Sequence, residues 1–341
     1  MAKILLNKSN FFHNLELCSK QAGSKDKIAI VLKDNAYGHG LKEISQLANE
    51  FGIRKAVVQD VEEANKIKNL FDEILILKVS QNMTYSHNFH ITVNDMCEIK
   101  QLPINSNVHL KIDTGMHRNG IDPKELEVAI YRIYSNNLNL TGIFTHHRSA
   151  DTLSSEFFWQ KAIFKDIKLK AISICEQLNI DVPNFHSANS NALFRDNNFD
   201  EDLCRIGLAA YGYMYKFDLC KNIALKPILS LWTQKMSSRT LKKNQAIGYG
   251  GSYIAKEDMK IGTYDIGYGD GFLRVGEHHD KFITKDGFKL LGRVSMDNLT
   301  LDCQDDEVCL FDDVKELSKI HNTIYYEILT SLKPSIPKEI V

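Results

Sequence analysis

Five apolar residues in a row, Ile28, Ala29, Ile30, Val31 and Leu32, end in a lysine, Lys33. Such a run reads as a strand buried on both faces. The loop beyond it carries Gly38 and Gly40, and a helical pattern begins at Leu41. Burial disfavours the charged form of an amine. A lysine held where a buried strand opens can therefore be a nucleophile near neutral pH and form a Schiff base with a carbonyl cofactor. A surface lysine at a strand end fits the same pattern. Other titratable residues stand at the ends of later apolar runs: Lys111 and Asp113, His146, His186 and, inside its run, Arg205. One such residue is explained by a turn, whereas several converging on one rim would make a site.

The elements that would position these residues follow a rhythm. Apolar runs occur at residues 28–32, 56–58, 74–77, 90–93, 108–112, 140–144, 182–185 and 203–209. Helical patterns separate several of them. Leu41, Ile44, Leu47, Ala48 and Phe51 share one face, as do Leu126, Ala129, Ile130 and Ile133, and the longest helical candidate covers residues 157–178. Ser9 is placed to cap a helix containing Phe12, Leu15 and Leu17. Alternating strands and helices predict a parallel sheet, and eight repeats predict an α/β chain with an N-terminal (β/α)8 TIM-type barrel. Chemistry in such a barrel sits at the C-terminal strand ends, where these polar residues fall. After Tyr213 glycines punctuate short runs such as residues 228–232, 282–284 and 299–301, which predicts a mostly β C-terminal domain. The expected division is 1–225 for the barrel and 226–341 for the second domain, with residues 1–8 able to pair with the latter.

The eight-residue stretch Lys33-Asp34-Asn35-Ala36-Tyr37-Gly38-His39-Gly40 resembles the lysine motif of alanine racemases, barrel-type (fold type III) enzymes that use pyridoxal phosphate (PLP). Asp34 stands where that family usually has a small residue. Residues 110–120, 145–151, 185–190 and 205–212 resemble the family's segments at the fifth to eighth strands. Gly267-Tyr268-Gly269-Asp270-Gly271 resembles its catalytic-tyrosine motif, and residues 293–297 match a further segment. The motifs keep the family's order across most of the chain.

The resemblance implies PLP on Lys33, with Lys33 and Tyr268 as the bases for the D and L faces of alanine. Positive charge near Tyr268 would favour its phenolate, and His186 and Arg205 are candidates for supplying it. Tyr37, Ser190 and the N–H groups of Gly207 and Leu208 would hold the phosphate. His146 would pack on the pyridine face, Arg205 would face the ring nitrogen and His186 would support Arg205. Arg118 would lie beside the substrate carboxylate, steadied by Lys111 as a carbamate; read without the family, Lys111 is an inward lysine paired with Asp113. Met296 and Asp297 would approach the carboxylate from the second domain. Tyr268 by itself reads equally as a core tyrosine in a β-turn. His147 and Arg148 replace an aromatic and a small residue and are expected in solvent. The family's C-terminal phosphate-binding tyrosine falls at Pro334. The implied assembly is a homodimer with shared sites, and the implied role is D-alanine for peptidoglycan. Two other classes remain open: a PLP-dependent decarboxylase, which would set an acid against the ring nitrogen, and a PLP carrier, which would be a lone barrel.

Bulk composition narrows the partners to small molecules. The chain has 341 residues, 43% hydrophobic and 25% charged, with a net charge of −1. That balance suits a globular protein with ample core and argues against nucleic acid. No apolar run approaches the ~18 residues of a membrane span, and the N-terminus is too short and polar for a signal peptide. Seven scattered cysteines, with no metal-site spacing at Cys303 and Cys309, predict reduced thiols in the cytoplasm and no metal centre.

Overall fold

A computed structural model describes residues 1–79, 85–196, 199–215, 223–274 and 281–341. The chain divides into two compact units. One comprises Met1–Phe11, Asn35–Glu43 and Pro227–Val341; the other comprises Phe12–Asp34 and Ile44–Lys226.

Strand β1 (Lys3–Leu6) belongs to the first unit and is followed by helix α1 (Lys8–Ala22). The cap of α1 is Asn7 rather than Ser9: the Asn7 Oδ1 accepts the Asn10 N–H at 2.8 Å. Asparagine caps as well as serine, and the helix begins two residues earlier than a Ser9 cap would allow.

The second unit holds the barrel. Its strands are β2 (Ile28–Val31), β3 (Lys55–Val58), β4 (Glu73–Ile76), β5 (Phe89–Val93), β6 (Asn107–Lys111), β7 (Asn139–Phe144), β8 (Asn184–His186) and β9 (Cys204–Ile206). They form one parallel eight-stranded sheet in the order β8-β7-β6-β5-β4-β3-β2-β9. All eight expected runs are strands, with ends shifted by a few residues. The two short end strands do not pair as a ladder. Backbone bonds from Asp202 N–H to the Phe185 carbonyl (3.1 Å) and from Arg205 N–H to the Ala188 carbonyl (2.9 Å) nearly close the ring. Between the strands run α3 (Leu41–Phe51), α4 (Val61–Ile67), α5 (Leu126–Ser135) and α6 (Glu156–Leu178). Their apolar stripes pack outside the sheet: Ile130 and Ile133 of α5 and Phe164 and Ile167 of α6 join Ile91, Val108, Leu110 and Ile143 in one core.

The first unit is mostly β. Strands β10 (Leu229–Leu241), β11 (Ala246–Ile247), β12 (Tyr253–Ile254), β13 (Met259–Tyr264), β14 (Leu299–Leu301), β15 (Glu307–Phe311) and β16 (Lys338–Ile340) follow in order. A six-stranded sheet runs β14-β13-β10-β1-β16, with β15 also on β10. β1 lies antiparallel to β10 and parallel to β16. Residues 282–284, read as a strand, make only an isolated bridge between Ile283 and Lys289. Asp286 and Gly287 turn the chain back too soon for a ladder: the Gly287 N–H already bonds the Thr284 carbonyl at 2.9 Å. Among the described residues no helix is long and apolar enough to cross a membrane.

Candidate active site

Lys33 begins a backbone turn of unusual hand. Segment α2 (Lys33–Tyr37) has φ of 54° at Asp34, 55° at Asn35, 52° at Ala36 and 53° at Tyr37. Left-handed residues without glycine normally occur singly, because Cβ crowds the carbonyl at roughly 1–2 kcal/mol each. Four in succession mark a segment held by its surroundings, as strained functional loops are. The hold on residues 35–43 is visible. The Asn35 carbonyl accepts the Gly40 N–H at 3.0 Å, and the Asn35 Oδ1 accepts the Leu41 N–H at 2.9 Å. The buried His39 ring donates through Nδ1 toward the carbonyls of Tyr37 (3.0 Å) and Ala36 (3.1 Å). Gly38 lies so near Leu329 that a Cβ would meet its carbonyl oxygen at 2.0 Å.

Lys33 itself is not fully desolvated. A third of its side chain is exposed, and its amine lies 3.3 Å from the Asp34 carboxylate. Its strand is pinned from within the barrel: the buried Tyr211 hydroxyl donates to the Val31 carbonyl at 2.7 Å. Tyr211 lies inside the eighth-strand motif, and nothing in its sequence neighbourhood marks this role.

The other barrel candidates gather around Arg205, whose guanidinium is buried. Nη1 donates to the His186 Nδ1 at 2.6 Å and to the His186 carbonyl at 3.1 Å. Nη2 donates to the carbonyls of Thr145 (2.7 Å) and Ser187 (3.1 Å). An arginine has five N–H donors, so four are committed to protein. The fifth, on Nε, has no acceptor among the described residues. Phe144 lies under the cation at 5.0 Å and stacks on His186 at 4.8 Å with an interplanar angle of 5°. Burial lowers the Arg205 pKa to about 10, opposed by Glu201, so the residue stays a cation.

Ser190 supplies a second set of donors. Its Oγ accepts the N–H groups of Gly207 and Ala209, each at 3.2 Å. With both lone pairs engaged, its own proton is left to donate outward. The N–H of Leu208, between those two amides, has no acceptor among the described residues. This is a place for an anion. A PLP molecule needs a group facing its ring nitrogen and donors for its phosphate, and the spare Nε–H of Arg205 and the spare donors of Ser190 and Leu208 fit it.

Lys111 ends β6, half-buried. Burial, then Arg118 and Arg205, push its pKa down to about 8, with Asp113 opposing. The alternative pairing with Asp113 is absent among the described residues; the Asp113 Oδ1 instead accepts the N–H groups of Gly115, Met116 and His117 at 2.8, 2.8 and 3.1 Å. Arg118 is exposed. His146 has its pKa pushed down to about 3 by burial and by Arg205, Arg118 and Lys111, so it presents a neutral ring.

His147 corrects an expectation. It is buried, with Nε2 2.9 Å from the Ser187 Oγ and its ring 4.8 Å from Phe157. Ser187 in turn donates to Glu201, a half-buried carboxylate outside the sequence motifs. The Phe157 ring of α6 and the Ser187 hydroxyl offer His147 an apolar face and a polar partner, so it turns inward. Arg148 is exposed, as expected, and pairs with Glu156.

In the first unit, Tyr268 opens a single 3-10 turn, Tyr268–Asp270, and is 42% exposed. Its N–H donates to the Ser295 carbonyl at 3.0 Å, and that of Gly269 to the Met296 carbonyl at 2.7 Å. Tyr268, Met296 and Asp297 are thereby brought together. The Tyr37 ring lies 5.3 Å from that of Tyr326. Pro334 offers no hydroxyl, and its carbonyl accepts from Lys338.

A family model described as the alanine racemase N-terminal domain matches residues 6–215, and one for the C-terminal domain matches residues 228–340. An alanine racemase of Nitratiruptor sp. is 47% identical over 332 residues, covering 97% of each chain. One of Campylobacter curvus is 42% identical over 341 residues, covering all of both. The crystal structure of the alanine racemase from Bacillus anthracis with bound L-Ala-P has a TM-score of 0.86 at 26% identity, covering 100% of this chain and 95% of that one. The chain belongs to the alanine racemase family.

Proposed function

We propose that this protein interconverts L- and D-alanine, with PLP attached to Lys33 at the C-terminal rim of the barrel. The observation that carries this reading is Arg205, which commits four donors to the protein and keeps one N–H for the cofactor ring. Bound PLP supplies the electron-withdrawing ring that lets the α-proton of an amino acid leave. The chain supplies the rest. Lys33 moves the proton on the D face and the Tyr268 phenol moves it on the L face. His146 lays a neutral ring on the pyridine. Ser190, Leu208 and Tyr37 anchor the phosphate, and the Gly207 N–H acts through the Ser190 hydroxyl, which it holds in place. A neutral Lys111 amine adds CO2, releasing a proton, and the carbamate pairs with Arg118 in bidentate fashion. Arg118, Met296 and Asp297 receive the substrate carboxylate. The choice of racemase over decarboxylase rests on arginine, a donor only, standing where a decarboxylase sets an acid. The working assembly is a homodimer in the cytoplasm, supplying D-alanine for peptidoglycan.

The test is direct. Purified protein is incubated with separate L-amino acids and the products are resolved by chiral chromatography; alanine should racemise fastest. Borohydride followed by mass spectrometry should place the cofactor on Lys33. No D-alanine, or an adduct on another lysine, overturns the reading.

A further inference from the structure

A line of hydrogen-bonded rings runs from Arg205 through the inside of the barrel. His186 Nε2 lies 2.9 Å from His109 Nδ1, and His109 Nε2 lies 3.1 Å from His90 Nδ1. At the far end the Thr141 Oγ1 is 2.9 Å from the His90 Nδ1, and the Glu73 carboxylate is 3.6 Å from the His109 Nε2. His109 and His186 are fully enclosed. Room for the His109 ring exists because residue 142 is glycine: a Cβ there would come 2.5 Å from the His109 Nδ1. His90 lines a cleft of about 810 Å³ bordered by Asn107, Asn139, Thr141 and Asn184. Those residues lie at or near the starts of β6, β7 and β8, so the cleft is at the barrel end away from Lys33.

Counting protons gives the line a direction. Arginine only donates, so the His186 Nδ1 must accept and its proton sits on Nε2. That proton points at the His109 Nδ1, which must accept too, leaving the His109 proton on Nε2. This last proton faces the His90 Nδ1 and the Glu73 carboxylate, and the Thr141 hydroxyl, which lies 2.9 Å from the same His90 nitrogen and 3.2 Å from the Val108 carbonyl, shares its single proton between those two acceptors. Burial, then Arg205 and the neighbouring histidine, hold His186 and His109 well below the usual histidine range. Burial and Lys55 bring His90 to about 4. All three rings are neutral at pH 7, as the count requires.

We propose that this one-way line of histidines fixes the orientation of Arg205, with His90 and Glu73 as positioning residues for the reaction. A competing use of the same side chains fails on the same count. Glu73, His90 and His109 offer ligand atoms within 4.8 Å of one another. A cation on the His109 Nε2 would force its proton to Nδ1, and the His186 proton to the nitrogen facing Arg205. Two donors would then meet at 2.6 Å. The line and a cation site exclude each other, and the arginine selects the line.

The role in catalysis rests on the reading of Arg205 given above; the proton positions do not. They are read by nitrogen NMR of the full-length holoenzyme carrying ring-15N histidine. His109 and His186 should show an unprotonated Nδ1 and a protonated Nε2, unchanged from pH 6 to 9. A proton on Nδ1 in either ring overturns the proposal, as does titration in that range. The catalytic part is read as the ratio of pyruvate to D-alanine formed from L-alanine, which does not depend on the fraction of enzyme folded. His90→Phe removes the nearer of the two terminal acceptors, leaving the Glu73 carboxylate at 3.6 Å, and should raise that ratio by up to about tenfold, the scale of one buried hydrogen bond lost. His90→Asn places an oxygen near the old Nδ1 and should restore the wild-type ratio. Equal ratios in the two variants refute the positioning role while leaving the racemase reading intact. Stoichiometric zinc binding that His90→Asn abolishes, measured by titration calorimetry, would overturn the line in favour of the cation site.

Discussion

Gly267 lies so close to Met296 that a Cβ on it would come 2.2 Å from the Met296 carbonyl oxygen. The Gly267 φ of −145° is open to any residue, so the constraint is contact rather than conformation. The Met296 carbonyl also accepts the Gly269 N–H, and the intervening residue is Tyr268. Gly267→Ala must therefore displace the loop that carries the tyrosine. A misplacement of about 1 Å costs on the order of a hundredfold in rate, and kcat should fall by that much. The cofactor should still be fixed to Lys33 by borohydride. Wild-type kcat in this variant would show that the loop tolerates the methyl and that Tyr268 placement is not critical.

Arg205 should govern which product forms. A carboxylic acid at this position can give the ring nitrogen a proton that arginine cannot, making the ring a stronger electron sink. Arg205→Glu should lower racemisation on the order of a hundredfold and raise transamination, read as pyruvate per D-alanine. Arg205→Lys, which keeps a donor and a charge, should lose rate without that shift in ratio. If Glu and Lys variants partition alike, the guanidinium has no such role.

The barrel was legible because its signal is local and repeated. Each strand carries or abuts a short apolar run, and the buried pattern of β2, all four residues inside, is what an unbroken Ile-Ala-Ile-Val run predicts. The site was legible where a polar residue ended such a run, as with His186. It was illegible where the determining partner is distant in sequence. Nothing beside His147 announces that Ser187 and Phe157 will take it inside. His109 did carry a signal, a histidine between Val108 and Leu110 on a strand whose middle residues are buried, but its partners come from β4, β5 and β8. Ser9 and Asn7 show the same limit at a helix end, where both are good caps and only the register decides.

His147 should make acid destabilisation steeper. Burial, with Arg205 next, pushes its pKa from 6.5 to about 3. Between those values the unfolded chain binds a proton here that the folded chain does not. Stability is therefore complete above pH 6.5 and falls as pH drops toward 3. One such group contributes a slope of about 1.4 kcal/mol per pH unit. Urea unfolding of His147→Phe should show a shallower loss between pH 6 and 5 by about that amount. An unchanged slope would mean that His147 is protonated in the folded protein.

Tyr268 should act in the partner's site of a homodimer. Lys33 lies in the barrel unit and Tyr268 in the β unit, and a symmetric dimer can bring one subunit's β unit over the other's barrel rim. Lys33→Ala and Tyr268→Phe, each nearly inactive alone, are unfolded together in equal amounts and refolded with PLP. Random assortment makes about half the dimers mixed. If sites are shared, a mixed dimer has one site with both substitutions and one with neither. Activity should then return to about a quarter of a wild-type control refolded in the same way. If both groups come from one subunit, every site in the mixture carries one substitution and no activity returns. Mixed dimers confirmed by mass but lacking activity would thus refute the shared site and leave the chemistry of Lys33 and Tyr268 within a single chain.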